Sequence, residues 1–160
     1  MNTELIDLAA RVGQALQANK LMLCTAESCT GGGVAQAVTE IAGSSEWFDC
    51  GFVTYSNTSK MEMLNVSYAL IAQMGTVSEE VAGAMAEGAL ATSNADVALA
   101  TTGIAGPSGA VPGKPVGTVC FAWAKGDHTH TERLVFHGDR ASVREQTVKH
   151  ALQGLLRFIE

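Results

Sequence analysis

Apolar residues at Leu5, Ile6, Leu8, Ala9, Val12, Leu16 and Ala18 recur with a helical period, and Asn2 or Thr3 can cap the helix they predict. The apolar run that follows predicts a strand over 21–25. A second helix starts among the glycines at 31–33 and runs to about 42, where Gly43-Ser44-Ser45 breaks it. Residues 47–55 are rich in aromatic and β-branched side chains and read as a buried strand. Asn57 or Thr58 caps a short helix through 64, and Ser67 opens another that ends near Gly75. Ser78 with Glu79 and Glu80 begins an alanine-rich helix to 91, acidic in its first turn as the helix dipole favours. Residues 96–101 return to strand. After a loop at 103–117, strands at 118–124 and 129–136 flank the turn Lys125-Gly126-Asp127, and Asp139 caps a helix to about 158.

Helices separate the first three strands, which predicts parallel crossovers, whereas the last two strands form an antiparallel hairpin. The expected fold class is α/β: a three-layer α/β/α arrangement around a mixed five-stranded sheet, with 1–160 as one domain. Ligands of such sheets sit beyond the carboxyl ends of the parallel strands. Ser28, Tyr55 with Lys60, and Thr102-Gly103 each follow a different one of those strands, so they are expected to converge on one edge.

The stretch Thr25-Ala26-Glu27-Ser28-Cys29-Thr30-Gly31-Gly32-Gly33 carries the densest chemistry. A strand, a hydroxyl-rich turn and a glycine-rich helix start can expose a nucleophile and offer free N–H groups to an anion. An ordinary N-cap by Ser28 or Thr30 is the plainer reading, but Glu, Ser, Cys and Thr with three glycines in one turn favour a site. Serine needs a base. The histidines, His128, His130, His137 and His150, all lie in the last third of the chain, which leaves Lys60 and Tyr55 as candidates. A lysine serves only when burial keeps its neutral form populated. Cys29 is a rival nucleophile if the helix start lowers its pKa. The 103–117 loop offers backbone N–H groups, Thr101 and Thr102 offer hydroxyls, and Lys114 reads as a solvated charge. Arg140 and Arg144 share a helix face four residues apart and can clamp a phosphate.

Composition narrows the partners. Ten Lys and Arg against sixteen Asp and Glu give no basic face for nucleic acid. No apolar run approaches the roughly 18 residues of a membrane span, and the N-terminus is acidic and amphipathic, so a cytoplasmic protein is expected. Cys24, Cys29, Cys50 and Cys120 show no metal-like spacing, and neither metal nor cofactor is expected.

The segments Thr25-Ala-Glu-Ser-Cys-Thr-Gly-Gly32, Ile41-Ala-Gly-Ser-Ser45, Val53-Thr-Tyr-Ser-Asn57 with Lys60, and Gly75-Thr-Val-Ser78 resemble the CinA C-terminal domain family, the nicotinamide-nucleotide amidohydrolases. So do Thr102-Gly-Ile-Ala-Gly-Pro107, Lys114-Pro-Val-Gly-Thr-Val119, and Gly138-Asp-Arg140 with Val143-Arg144. These run in order along nearly the whole chain, in what looks like a stand-alone form. Cys50-Gly51, Asn65 and Ala110 depart from the family pattern without touching these candidates. The resemblance implies hydrolysis of the carboxamide of nicotinamide mononucleotide to nicotinate mononucleotide and ammonia. It makes Ser28 the nucleophile in preference to Cys29, Lys60 the base and Tyr55 its support. Thr30, Gly31, Gly32, Thr102 and Gly103 would then bind substrate, with Arg140 ahead of Arg144 for the phosphate and Glu27 facing the pyridinium. It also implies a homodimer acting on a small nucleotide. A non-catalytic nucleotide- or phosphate-binding module and a cysteine amidase are the alternatives.

Overall fold

The computed structural model describes residues 1–160. Helix α1 (Thr3–Ala18) is capped by Asn2, whose side chain accepts from Leu5 N–H at 2.7 Å. Strand β1 (Leu23–Glu27) begins two residues later than the apolar run predicts. Leu21 still closes the end of α1 through Leu16 O, and Met22 bonds Asp96, so pairing starts only at Leu23. Helix α2 (Gly33–Thr39) follows, then a 3-10 turn (Ser44–Glu46) and strand β2 (Phe48–Val53). Helices α3 (Asn57–Leu64), α4 (Tyr68–Met74) and α5 (Glu79–Ala91) start at Ser56, Ser67 and Ser78, each accepting a first-turn N–H. Ser56, rather than Asn57 or Thr58, is thus the cap of α3. Strand β3 (Val97–Gly103), the hairpin β4 (Thr118–Lys125) and β5 (His128–Val135), and helix α6 (Arg140–Ile159) complete the chain.

The sheet order is β2-β1-β3-β4-β5, with β1 parallel to both β2 and β3 and the last three strands antiparallel. This is the expected mixed α/β sheet. One expectation fails in detail: β2 is an edge strand whose side chains alternate between half-buried and exposed, not a buried one. Aromatic and β-branched content marks a strand but does not say whether it has one neighbour or two.

Two cores flank the sheet. Leu23, Val97, Leu99, Val119, Phe121 and Trp123 face α1, α2 and α6. Cys24, Ala26, Ala98, Ala100, Cys120, Ala122 and Ala124 face α3, α4 and α5. Small side chains on that second face let alanine-rich α5 lie close. Gly88 is so near α3 that a Cβ there would sit 1.9 Å from Leu64 O.

Register then places the site. Glu27 pairs with Val53 on one side and Thr101 on the other. The next residues, Ser28, Thr54 and Thr102, therefore lie at one level, Thr102 still paired with Cys120 in β4. Successive strand residues point to opposite faces, so Glu27 and Thr101 turn toward α2 while Ser28 turns toward α3.

Candidate active site

Lys60 lies on α3 and is completely buried. Its Nζ donates to the carbonyls of Thr54 (2.8 Å) and Tyr55 (3.2 Å) and lies 2.9 Å from Ser28 Oγ. No carboxylate pairs with it. Burial alone lowers its pKa from the ordinary 10.5 to about 8, because the charged form loses hydration without a counter-ion. The two carbonyls fix two N–H bonds of the amine. In the neutral form the remaining lone pair is then directed at the Ser28 hydroxyl, the alignment a general base needs.

Ser28 is 7% exposed. Its own N–H donates to Thr101 O at 3.0 Å, and its carbonyl accepts from Gly31 N–H at 3.0 Å. The first bond ties the turn to β3 and the second closes the turn on itself. Ser28 opens onto a cleft of about 300 Å³ lined also by Cys29, Tyr55, Thr76, Thr102 and Arg140, with the loop from Gly103 to Gly109 forming one wall. A larger hollow of about 890 Å³ lies elsewhere, lined by Leu21, Asp96, Lys125 and His128, and shares none of these residues. The three strand ends therefore converge as the topology requires.

Several residues sit differently from the expectations. Glu27 is 1% exposed and faces away from the cleft. Its carboxylate accepts from Val34 N–H (2.8 Å), Ala35 N–H (3.0 Å) and the Thr30 hydroxyl (2.6 Å). Gly32, the cap of α2, has no side chain to offer, so Glu27 caps that helix from the neighbouring strand. The expected anion site at the glycine-rich helix start is thus filled by the protein's own carboxylate, and a pyridinium would not meet Glu27. Thr30 is equally buried, and its hydroxyl links Glu27 to the Thr101 hydroxyl at 2.9 Å. Gly31 and Gly32 adopt φ of +58° and +100°, values other residues rarely accept. These two glycines make the turn and do not line the cleft.

Tyr55 reaches Lys60 only through its carbonyl. Its ring is 61% exposed at the rim, and its hydroxyl accepts from Arg140 Nη2 at 3.1 Å. Arg140 also donates to Gly106 O at 2.9 Å, which ties the cleft loop to α6. Arg144 turns to the backbone: Nε donates to Cys29 O (3.1 Å) and Nη2 to Thr30 O (3.4 Å). The Thr102 hydroxyl donates to Thr76 O at 3.0 Å. A Cβ on Gly103 would meet Val119 at 2.8 Å and Cys29 Sγ at 3.1 Å, so this glycine allows β3, β4 and the Ser28 turn to close up. Lys114, expected to be solvated, donates to Met74 O at the end of α4 and pins the loop there.

Cys29 does not have the reactive character its sequence position suggests. It is 6% exposed, and burial together with the Glu27 carboxylate pushes its thiol up to about 12. A thiol so placed stays protonated and inert. No histidine approaches the cleft: His128 stacks on Phe158, His130 on Trp123, and His150 packs edge-on against Phe121. Sequence reasoning missed Thr76 and Ser108 as cleft residues. Thr76 stood between Gly75 and the helix-capping Ser78, a turn signal that places a residue near the sheet's edge without saying which way it faces.

The chain's similarities agree with this geometry. Residues 5–159 match the model of the CinA C-terminal domain. The chain is 52% identical to "Nicotinamide-nucleotide amidohydrolase PncC" of Pseudomonas putida over 151 residues, covering 94% of each chain. It is likewise 52% identical over 156 residues to the protein of that name in Escherichia coli strain K12, covering 96% of this chain and 94% of the relative. The crystal structure of the competence/damage inducible protein CihA from Agrobacterium tumefaciens superposes with a TM-score of 0.96 at 41% identity, covering 100% of this chain and 98% of that one. A match of this extent, with the same fold throughout, places the chain in the CinA C-terminal domain family.

Proposed function

We propose that this protein hydrolyses the carboxamide of nicotinamide mononucleotide to nicotinate mononucleotide and ammonia, with Ser28 as nucleophile and Lys60 as base. The observation that carries the proposal is the 2.9 Å approach of a buried, unpaired lysine to a cleft serine. The relatives' name as nicotinamide-nucleotide amidohydrolases supports the choice of substrate.

The steps follow from the site. Neutral Lys60 takes the Ser28 proton as Oγ attacks the carboxamide carbon, giving a tetrahedral anion and an ammonium at Lys60. That ammonium returns its proton to the departing nitrogen, the C–N bond breaks, and ammonia leaves an ester on Ser28. Water, deprotonated by the again neutral Lys60, attacks the ester carbon. The C–O bond to Ser28 then breaks, serine regains its proton, and the carboxylate product departs. Arg140 at the rim, with Tyr55 beside it, is the side chain placed to meet the substrate phosphate. Thr102 lies in the wall beside the reacting carbon. In this reading the protein works as a homodimer in the cytoplasm and needs no metal or cofactor.

The test is release of ammonia and nicotinate mononucleotide in equal amounts from nicotinamide mononucleotide by the purified protein, with chelator present. Many turnovers per protein molecule are expected. Binding of the nucleotide without release of either product would overturn the hydrolase reading in favour of a binding module. Replacing Arg140 by Lys is expected to raise KM about tenfold with little change in kcat, since a forked contact becomes a point charge.

A further inference from the structure

We infer that the backbone N–H groups of Cys29 and Thr30 form the oxyanion hole for the tetrahedral intermediate on Ser28; the inference rests on the hydrolase reading above. Cys29 and Thr30 are 6% and 2% exposed, yet neither N–H donates to any backbone or side-chain acceptor in the protein. Buried backbone donors are nearly always paired, so two unpaired neighbours in one turn call for a partner.

Of the other donors in this turn, only Gly32 N–H likewise lacks an acceptor. Ser28 N–H bonds Thr101 O, Gly31 N–H bonds Ser28 O, and Gly33 N–H bonds Thr30 O. The start of α2 is closed as well, because Val34 and Ala35 donate to Glu27. On the opposite wall, Ile104 N–H is taken by Thr118 O, while the N–H groups of Ala105, Gly106, Ser108 and Gly109 find no acceptor in the protein. Cys29 and Thr30 are the two central residues of the turn closed by the Gly31-to-Ser28 bond. In such a turn the Thr30 N–H points toward the first residue's side chain, where a capping oxygen would otherwise sit, and the Cys29 N–H directly follows the attacking serine, as in a nucleophile elbow. Ser28 Oγ is not that oxygen, since it turns to Lys60. When Oγ bonds the carboxamide carbon, the former carbonyl oxygen carries the negative charge a short distance from Oγ, and these two donors are free to hold it.

The turn is fixed before substrate arrives. Arg144 grips the carbonyls of Cys29 and Thr30 from α6, and Glu27 holds the Thr30 hydroxyl. Polarising the Cys29 carbonyl with a guanidinium also makes Thr30 N–H, the donor of the same peptide unit, a better one. Donors held in place in this way lower the barrier because they need no reorganisation as charge develops.

Two measurements test the inference. The first uses the nucleotide with a ¹³C-labelled aldehyde in place of the carboxamide, bound to ¹⁵N-labelled protein. A hemiacetal carbon should appear, with downfield shifts of the Cys29 and Thr30 amide protons. The second replaces Thr30 by its α-hydroxy acid counterpart, which keeps the side chain and exchanges N–H for oxygen. With an unchanged fold by circular dichroism, kcat should fall about 100-fold while KM moves only a few-fold. A hemiacetal with both amide protons unmoved and kcat retained in the ester protein would overturn the hole and leave Ser28 as nucleophile. No hemiacetal, with no turnover of the nucleotide by the unaltered protein, would overturn the reading of the site and the hole with it.

Discussion

The end of β1 has two sides, and they handle buried polar groups in opposite ways. Toward α2, the Glu27 carboxylate and the Thr30 and Thr101 hydroxyls form a closed network with the helix start as its donors. Toward α3, Lys60 is as deeply buried but has two carbonyls, a serine hydroxyl and no counter-ion. The first side holds its charge by satisfying it and so builds the turn. The second leaves its charge uncompensated, which supports the proposed role of Lys60 as a base near neutral pH. Adjacent residues, Glu27 and Ser28, thus divide structure from reactivity because a strand sends them to opposite faces.

Removing Ser28 should break the reactive side most completely. Ser28→Ala is expected to lower kcat for nicotinamide mononucleotide by about 10⁴-fold or more, with the thermal midpoint nearly unchanged; activity within tenfold of wild type would move the nucleophile elsewhere. Lys60→Met should lower kcat about 10³-fold and sharpen the contrast through stability. Holding Lys60 at about 8 rather than 10.5 costs on the order of 3 kcal/mol against its charged form. That penalty is fully present below pH 8 and is relieved as pH rises toward 10.5, because over that range the folded protein binds fewer protons than the unfolded chain. Lys60→Met should therefore be at least as stable as wild type in urea at pH 7, and lose that advantage by pH 10.

The structural side should respond in the reverse manner. Glu27→Ala leaves two helix N–H groups and the Thr30 hydroxyl without their acceptor, so a loss of roughly 2–4 kcal/mol in urea unfolding is expected. Glu27→Gln should be milder and should recover part of the activity. The smallest effect concerns Cys29: iodoacetamide at pH 7.5 should leave that thiol unlabelled by peptide mass mapping, with activity unchanged. Rapid labelling of Cys29 would contradict its placement.

Much of this was legible in the sequence, for identifiable reasons. Asn2, Ser67, Ser78 and Asp139 marked helix starts because capping depends on residues three apart. The topology followed from helices separating the first three strands. The convergence of Ser28, Lys60 and Thr102 on one edge followed from that topology. What escaped were facts set by tertiary partners. Glu27 looked like a site residue because its neighbours do, yet the N–H donors it accepts from lie seven and eight residues on, at the start of α2. Tyr55 was expected to support Lys60 with its side chain and does so with its carbonyl, since the ring stands at the rim beside Arg140. Arg144 reads as an anion clamp, but its i, i+4 spacing from Arg140 cannot say that it faces two carbonyls.

The account's central claim is that a lysine buried without a counter-ion serves as the base, and the pH dependence of kcat/KM between 7 and 10 tests it most directly. The free enzyme should gain activity as pH rises through about 8, and this limb should vanish in the residual activity of Lys60→Met. A limb near 10.5, or a profile flat across that range in wild type, would contradict it.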